Sequence, residues 1–441
     1  MRSARKKTLL AIIGLTGAAA VMFWMDLPPV GLQPARPSTK RQPTPGPLDI
    51  LSIPHSGDTP LDVEIRTLQK AVSGASGRTK TDSLTRLGWA FVTKARLTYD
   101  AGFYTLARQA ALSVEQLAPN NADARLLRGH VLHSQHRFAE AEVLARSLVS
   151  SRVNPQDHAL LSDALMELGR IDEAVGACQK MADLQPSLPS YLRIAHLRWL
   201  EGDLAGATKI ARKAAEMGSS RDAEPAAWAD SALAGYEFQA GDVQASIRTA
   251  DAALALVPDY APALLIRGRA LLALDRIADA LESLRTAARK NPALDYQWTL
   301  ADALRVNGRA EDAAKIENAM KLHGASEDAR TLAVFLATRG EQCPMALELA
   351  KAELAVRKDV FTYDAIAWSA LANGDLDTAR TNMTKALSAG TQDARLFLHA
   401  AAIAVRDGRA EEGARFASQA RAFEHTLLPG ERELLKKIAT Q

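Results

Sequence analysis

The stretch LMELGRIDEAVGACQKMADLQP, residues 165–186, reads as the end of one helix, a tight turn at Gly169 and a second helix that stops at Pro186. RGRALLALDRIADALESLRTAARKNP, residues 267–292, repeats that grammar around Asp275. Working outward from these two, a turn residue followed five places later by a small residue recurs ten times. The turns are Gly102, His136, Gly169, Gly202, Gly241, Asp275, Gly308, Gly340, Gly374 and Gly408. Behind them stand Ala107, Ala141, Ala174, Ala207, Ser246, Ala280, Ala313, Ala346, Ala379 and Gly413. Successive turns are 34, 33, 33, 39, 34, 33, 32, 34 and 34 residues apart. Glycine suits the turn because the first helix ends best in a left-handed residue, which glycine adopts without steric penalty. The small residues sit where two helices cross and let their axes approach to about 8–10 Å. Pro119, Pro155, Pro186, Pro258 and Pro292 fall just after second helices, where a residue lacking an amide hydrogen stops one helix and leads into the next.

A period near 34 with this turn, this alanine and a closing proline resembles the tetratricopeptide repeat, over roughly residues 88–428. The resemblance implies an all-α, right-handed superhelical solenoid of about ten helix-turn-helix units. Stacked neighbours then make one continuous core, because no single pair can bury its apolar face alone. Leu61, Ile65, Leu68 and Val72, at helical spacing, mark a capping helix and loop over 61–87. GERELLKKIATQ after Pro429 marks a closing helix over 429–441, charged outside with one apolar stripe. The 39-residue interval is assigned to GSSRDAEP, residues 218–225, read as a longer loop between stacked units.

Residues 9–25, LLAIIGLTGAAAVMFWM, form an uncharged apolar run of 17 residues, at the short end of what spans a bilayer as a helix. Arg2, Arg5, Lys6 and Lys7 lie in the tail 1–8, and no Lys or Arg follows until Arg36, which keeps the amino terminus in the cytoplasm. The reading is a transmembrane signal anchor in a bacterial inner membrane, single-pass, with the body periplasmic. A cleaved secretory signal, using the small residues at 18–20, is the alternative and also exports the body. Nine of the 19 prolines fall between residues 28 and 60, so 26–60 reads as an extended linker without a core.

Residues 1–60 hold seven Lys and Arg against three Asp, leaving 47 basic and 48 acidic residues in the rest, so the body is neutral. That argues against nucleic acid as a partner, which needs a concentrated basic face. Cys178 and Cys343 are five repeats apart and are read as unbridged. His130, His133 and His136 lack a neighbouring carboxylate or thiol to complete a tetrahedral set, so no metal and no cofactor is expected. No HExxH, Gly-rich phosphate loop, CxxC or GxSxG occurs, and nothing supplies a nucleophile paired with a base; the chain is read as no enzyme.

The resemblance further implies that first helices line a concave groove, chiefly through unit positions 2, 5, 9, 12 and 13 when the turn residue is position 15. Every tryptophan outside the membrane run lands there: Trp89, Trp199, Trp228, Trp298 and Trp368. Tyr99, His130, His133, His196, Phe238 and Phe361 join them, with Arg96, Arg269, Asp302, Arg305 and Asp364 as polar companions. Trp, Tyr and Arg are enriched at binding hot spots. The expected function is a noncatalytic, membrane-tethered scaffold holding a protein or peptide segment in this groove. The alternative is a chaperone-like or accessory subunit for envelope protein or polysaccharide assembly.

Overall fold

The structure, a computed structural model, describes residues 46–438, whose regular elements are all helices. The tail, the anchor and the linker as far as residue 45 lie outside the described residues. Among those described, no helix is long and apolar enough to cross a membrane. Two leading helices, α1 (Pro47–Leu51) and α2 (Pro60–Gly74), precede ten pairs. The pairs are α3 and α4 (Gly77–Thr98, Gly102–Leu117), α5 and α6 (Ala122–Ser134, Phe138–Ser151), α7 and α8 (Pro155–Glu167, Ile171–Leu184), α9 and α10 (Leu188–Leu200, Leu204–Glu216), and α11 and α12 (Ala223–Gln239, Val243–Leu256). They continue with α13 and α14 (Ala261–Ala273, Ile277–Lys290), α15 and α16 (Leu294–Val306, Ala310–Glu327), α17 and α18 (Ala329–Arg339, Cys343–Glu353), α19 and α20 (Val360–Ala372, Leu376–Leu387), and α21 and α22 (Ala394–Arg406, Ala410–Ala422). A last helix, α23, spans Pro429–Ile438.

Each first helix from the second unit onward ends in the same hydrogen-bonded turn. In the third unit the Arg170 amide donates to Leu165 O at 2.9 Å and the Gly169 amide to Met166 O at 3.0 Å, closing the helix around a left-handed Gly169 (φ +73°). His136 and Asp275 adopt the same conformation at φ 58° and 59°. The first unit departs from the sequence register: its left-handed residue is Tyr99, and Gly102 opens α4. Nine of the ten small residues behind the turns, Ala107 to Ala379, have no exposed surface, as small side chains at a close helix crossing should.

Three expectations of extent are corrected. Residues 77–87 are the front of the 22-residue α3, not a loop. Of 218–225, only 218–222 precedes α11, and the rest lengthens that helix to 17 residues. The linker's described part is docked: Leu51 is 2% exposed, the Gln69 side chain donates to Leu51 O and Ile53 O at 2.9 and 2.7 Å, and His55 bonds Asp62 at 2.7 Å. Leu48 and Leu51 give this stretch enough apolar surface to pack despite its prolines.

The array winds until its late units lie on its early ones. Loops following the eighth, ninth and tenth units meet the turns of the third, fourth and fifth, an offset of five units. The Lys358 amide donates to Glu167 O at 2.9 Å, the Thr391 hydroxyl to Leu200 O at 2.6 Å, and His425 Nε2 to Phe238 O at 2.7 Å. Each acceptor lies two or three residues before a turn glycine. At two of those glycines the approach is so close that a Cβ would stand 2.3 Å from Lys358 O (at Gly169) or 2.5 Å from Gly390 O (at Gly202). Such contacts are open only to a residue without a side chain. Arg357, which is 8% exposed, lies over the Phe138 ring at 5.1 Å and faces Glu167, tightening the same seam.

Candidate functional site

One stripe of each early first helix converges on a two-lobed cavity. Helix α7 contributes Gln156, Ala159, Leu160, Asp163 and Met166, which share a face at helical spacing; α11 contributes Trp228, Ala232 and Tyr236, four residues apart. One lobe, of about 360 Å³, holds Trp89, Arg96 and His130; the other, of about 320 Å³, holds His133 and His196. Asp163, Arg193 and Trp228 belong to both. Trp228 remains 37% exposed, one of the few large apolar side chains still open to solvent.

The charges here are matched in pairs. Arg193 grips Asp163 with two parallel hydrogen bonds at 2.8 and 2.7 Å, and Arg96 of the first unit reaches Glu224 of the fifth at 2.7 Å. Burial pushes the Asp163 carboxyl up, but the adjacent Arg193 outweighs it and holds it below the usual range. Burial pushes the His130 imidazole down to about 4 and lowers His196 as well, so both are neutral at pH 7. Trp89 stands over His130 with ring centres 5.3 Å apart. The His133 Nε2 is buried without a hydrogen-bond partner. Among the described residues, no group of three or more His, Cys, Asp or Glu is arranged to hold a metal ion.

The remaining candidates do not open to this cavity, and most are interior. Trp298 is 2% exposed, edge-on to Phe335 at 5.5 Å, with the Arg395 guanidinium 4.8 Å above its ring. Trp368 is 6% exposed, stacked on His399 at 4.0 Å, and donates to Thr338 at 3.0 Å; Asp364 bonds the same His399 at 2.8 Å. Trp199 stacks on Phe361 across the seam at 5.8 Å. Tyr99 packs on the core shared by α11, α13 and α15. Phe238 lies under Arg269, which donates to Thr426 O at 2.6 Å; Asp302 is held by Arg339; Arg305 pairs with Glu317. The groove reading is thus corrected for these residues. Most of them are packed against the chain's own side chains rather than left open to a ligand, and Arg305 is exposed.

The tetratricopeptide repeat family model matches residues 92–158, 231–293 and 265–329. The chain carries tetratricopeptide repeats over these residues. Tetratricopeptide repeats generally mediate protein–protein interactions. The repeats are similar to those of TTC0263, a thermophilic TPR protein of Thermus thermophilus, at 18% identity over 44% of this chain and 99% of that one, with a TM-score of 0.39. The human IFIT1 dimer with PPP-AAAA is similar at 12% identity over 86% and 94% of the two chains, with a TM-score of 0.47. The Cut9–Hcn1 hetero-tetramer of the APC/C is similar at 12% over 86% and 90%, with a TM-score of 0.39. No curated protein matches the chain.

Within the TPR frame, the sequence reading missed Asp163, Arg193 and Tyr236. Asp163 occupies position 9 of its unit, inside the groove set, and that position was the available signal. Arg193 and Tyr236 sit at positions 6 and 10, and nothing local distinguishes them from residues packed between helices.

Proposed function

We propose that this TPR protein is a noncatalytic scaffold that holds a segment of a partner protein in the two-lobed cavity between Trp89 and Trp228. The body works on the exported side of a bacterial inner membrane, tethered through residues 9–25. The observation that carries the reading is the cavity's chemistry: aromatic and aliphatic walls, neutral imidazoles, and two arginines whose charges are already spent on Asp163 and Glu224. An occupant rich in apolar side chains and carrying little charge suits such walls. A polyanion would need unpaired cations, which argues against nucleic acid.

The test is affinity capture by the full-length chain in mild detergent, with partners identified by mass spectrometry and then remeasured on Trp228→Ala. Because Trp228 is 37% exposed, its truncation should leave melting unchanged while weakening capture by about 2 kcal/mol. Equal capture by both chains would remove the cavity from consideration. Alkaline phosphatase fused after Gln441 should be active; an inactive fusion beside an active cytoplasmic reporter would overturn the orientation.

A further inference from the structure

First helices of the fifth, sixth, seventh and tenth units are bridged by a segment of the chain itself, a short 3-10 turn at Glu424–Thr426 leading into the first turn of α23. After α22, residues 423–431 cross the first helices of four units in order. His425 Nε2 donates to Phe238 O on α11 at 2.7 Å, and Arg269 on α13 donates to Thr426 O at 2.6 Å. The Gly430 amide donates to Asp302 on α15 at 3.2 Å, and the Glu431 carboxylate is held by Arg395 on α21. Leu427 and Leu428 are each 3% exposed, and Glu431 is 1% exposed. The His425 contact repeats the seam made by the two preceding loops, but the contacts to Arg269, Asp302 and Arg395 have no counterpart in those loops. These are the contacts of a bound peptide: main-chain groups met by groove side chains, an apolar pair, and one anchored carboxylate.

The fit is also incomplete. A cavity of about 100 Å³ remains between Gln239, Arg269, Asp364, Asp393 and Glu431, and the Gln239 Oε1 is buried without a partner. The groove therefore offers more polar contacts than its present occupant uses.

We propose that residues 424–431 are an intramolecular ligand latching a second protein-binding groove. The groove's partner is a segment that takes the same turn into a helix, with two adjacent aliphatic side chains and, in the first helical turn, a carboxylate three residues beyond the second. The occupant's chemistry follows from the groove: Arg395 supplies the cation for the carboxylate, Asp302 accepts a main-chain amide, and Arg269 donates to a main-chain carbonyl. This site shares no lining residue with the Trp89–Trp228 cavity and stands whether or not that cavity binds.

The probe is a fluorescein-labelled synthetic peptide of residues 423–433, FEHTLLPGERE, titrated by anisotropy onto the full-length chain in detergent. Leu427→Ala combined with Leu428→Ala loosens the latch while leaving every groove residue intact. The loosened chain should bind the probe at least about tenfold more tightly than the unaltered chain, which corresponds to about 1.4 kcal/mol. Adding Arg395→Ala should abolish the gain, and a probe with glutamine in place of the Glu431 carboxylate should bind correspondingly less well. Equal weak binding by both chains, while the loosened one still melts cooperatively, overturns the proposal, as does a gain that survives Arg395→Ala. Should the double variant lose cooperative melting, Glu431→Gln takes its place. Faster hydrogen exchange at the Gly430 amide, which bonds Asp302 across the groove, then reports release, and release without probe binding counts against the latch.

Discussion

Replacing Gly169 by alanine tests the seam that closes the superhelix, and Gly374→Ala is its matched control. Both glycines are left-handed, at φ +73° and +81°, and both end a first helix. Alanine in that conformation costs roughly 1–2 kcal/mol at either site. The surroundings differ: a Cβ at Gly374 meets nothing within 4 Å, whereas at Gly169 it stands 2.3 Å from the Lys358 carbonyl oxygen. Backbone must therefore move at Gly169. The movement breaks the Lys358 to Glu167 hydrogen bond, worth about 1 kcal/mol net, and lifts Arg357 from Phe138, worth about 0.5–1 kcal/mol more. Gly169→Ala should thus exceed Gly374→Ala by about 2 kcal/mol in denaturant unfolding of the full chain. The Lys358 amide should also lose its protection from hydrogen exchange in the first variant and keep it in the second. Equal destabilisation with unchanged protection at Lys358 would refute the claim that this contact holds the late units onto the early ones.

Trp298→Ala should lower stability by about 3–5 kcal/mol, because a ring 2% exposed against Phe335 leaves a cavity when truncated; an unchanged melt would return Trp298 to the surface. Ala280→Leu should cost roughly 1–3 kcal/mol by overpacking a residue with no exposed surface, and normal exchange protection throughout α13 and α14 would refute it. Acid should destabilise the fold through His130: its folded pKa is about 4 against an ordinary 6.5, so the unfolded chain binds the extra proton between those values. That contribution is fully present above about pH 6.5 and lost as pH falls towards about 4, so His130→Gln should flatten the melting-temperature slope across this window. Identical slopes would exclude it. Asp62, held well below the carboxylate range first by Lys94 and then by Thr59, adds its own loss only below about pH 4.

The local grammar was readable because it repeats and because each symbol has one physical meaning. A left-handed residue ends a helix, and a missing side chain lets two helices touch. Tyr99 escaped because an aromatic residue in the left-handed region has no such signature, and Gly102 stood close enough to be taken for it. Whether Trp298 at position 5 and Trp368 at position 9 face a groove or a core was not legible. That depends on small rotations between neighbouring units, summed over half the array. Glu167 and Lys358, 191 residues apart, carry nothing in their own surroundings to announce that they meet. The same holds for Leu200 and Thr391.

The seam bears mostly on main-chain atoms at helix ends, so what it demands of the chain is unit geometry more than side-chain identity. The helices whose carboxyl ends accept those contacts are also the ones lining the open cavity. Met166 precedes Glu167 directly, His196 lies one helical turn before Leu200, and Tyr236 lies two residues before Phe238. A segment entering the cavity and spreading α7, α9 and α11 would strain the three acceptors together, whereas one that fits the closed form would leave them in place. By linkage, the first kind of ligand binds more weakly the tighter the seam, and the second kind is unaffected by it. Seam variants such as Gly169→Ala thereby separate the two modes of entry without altering any residue of the cavity wall.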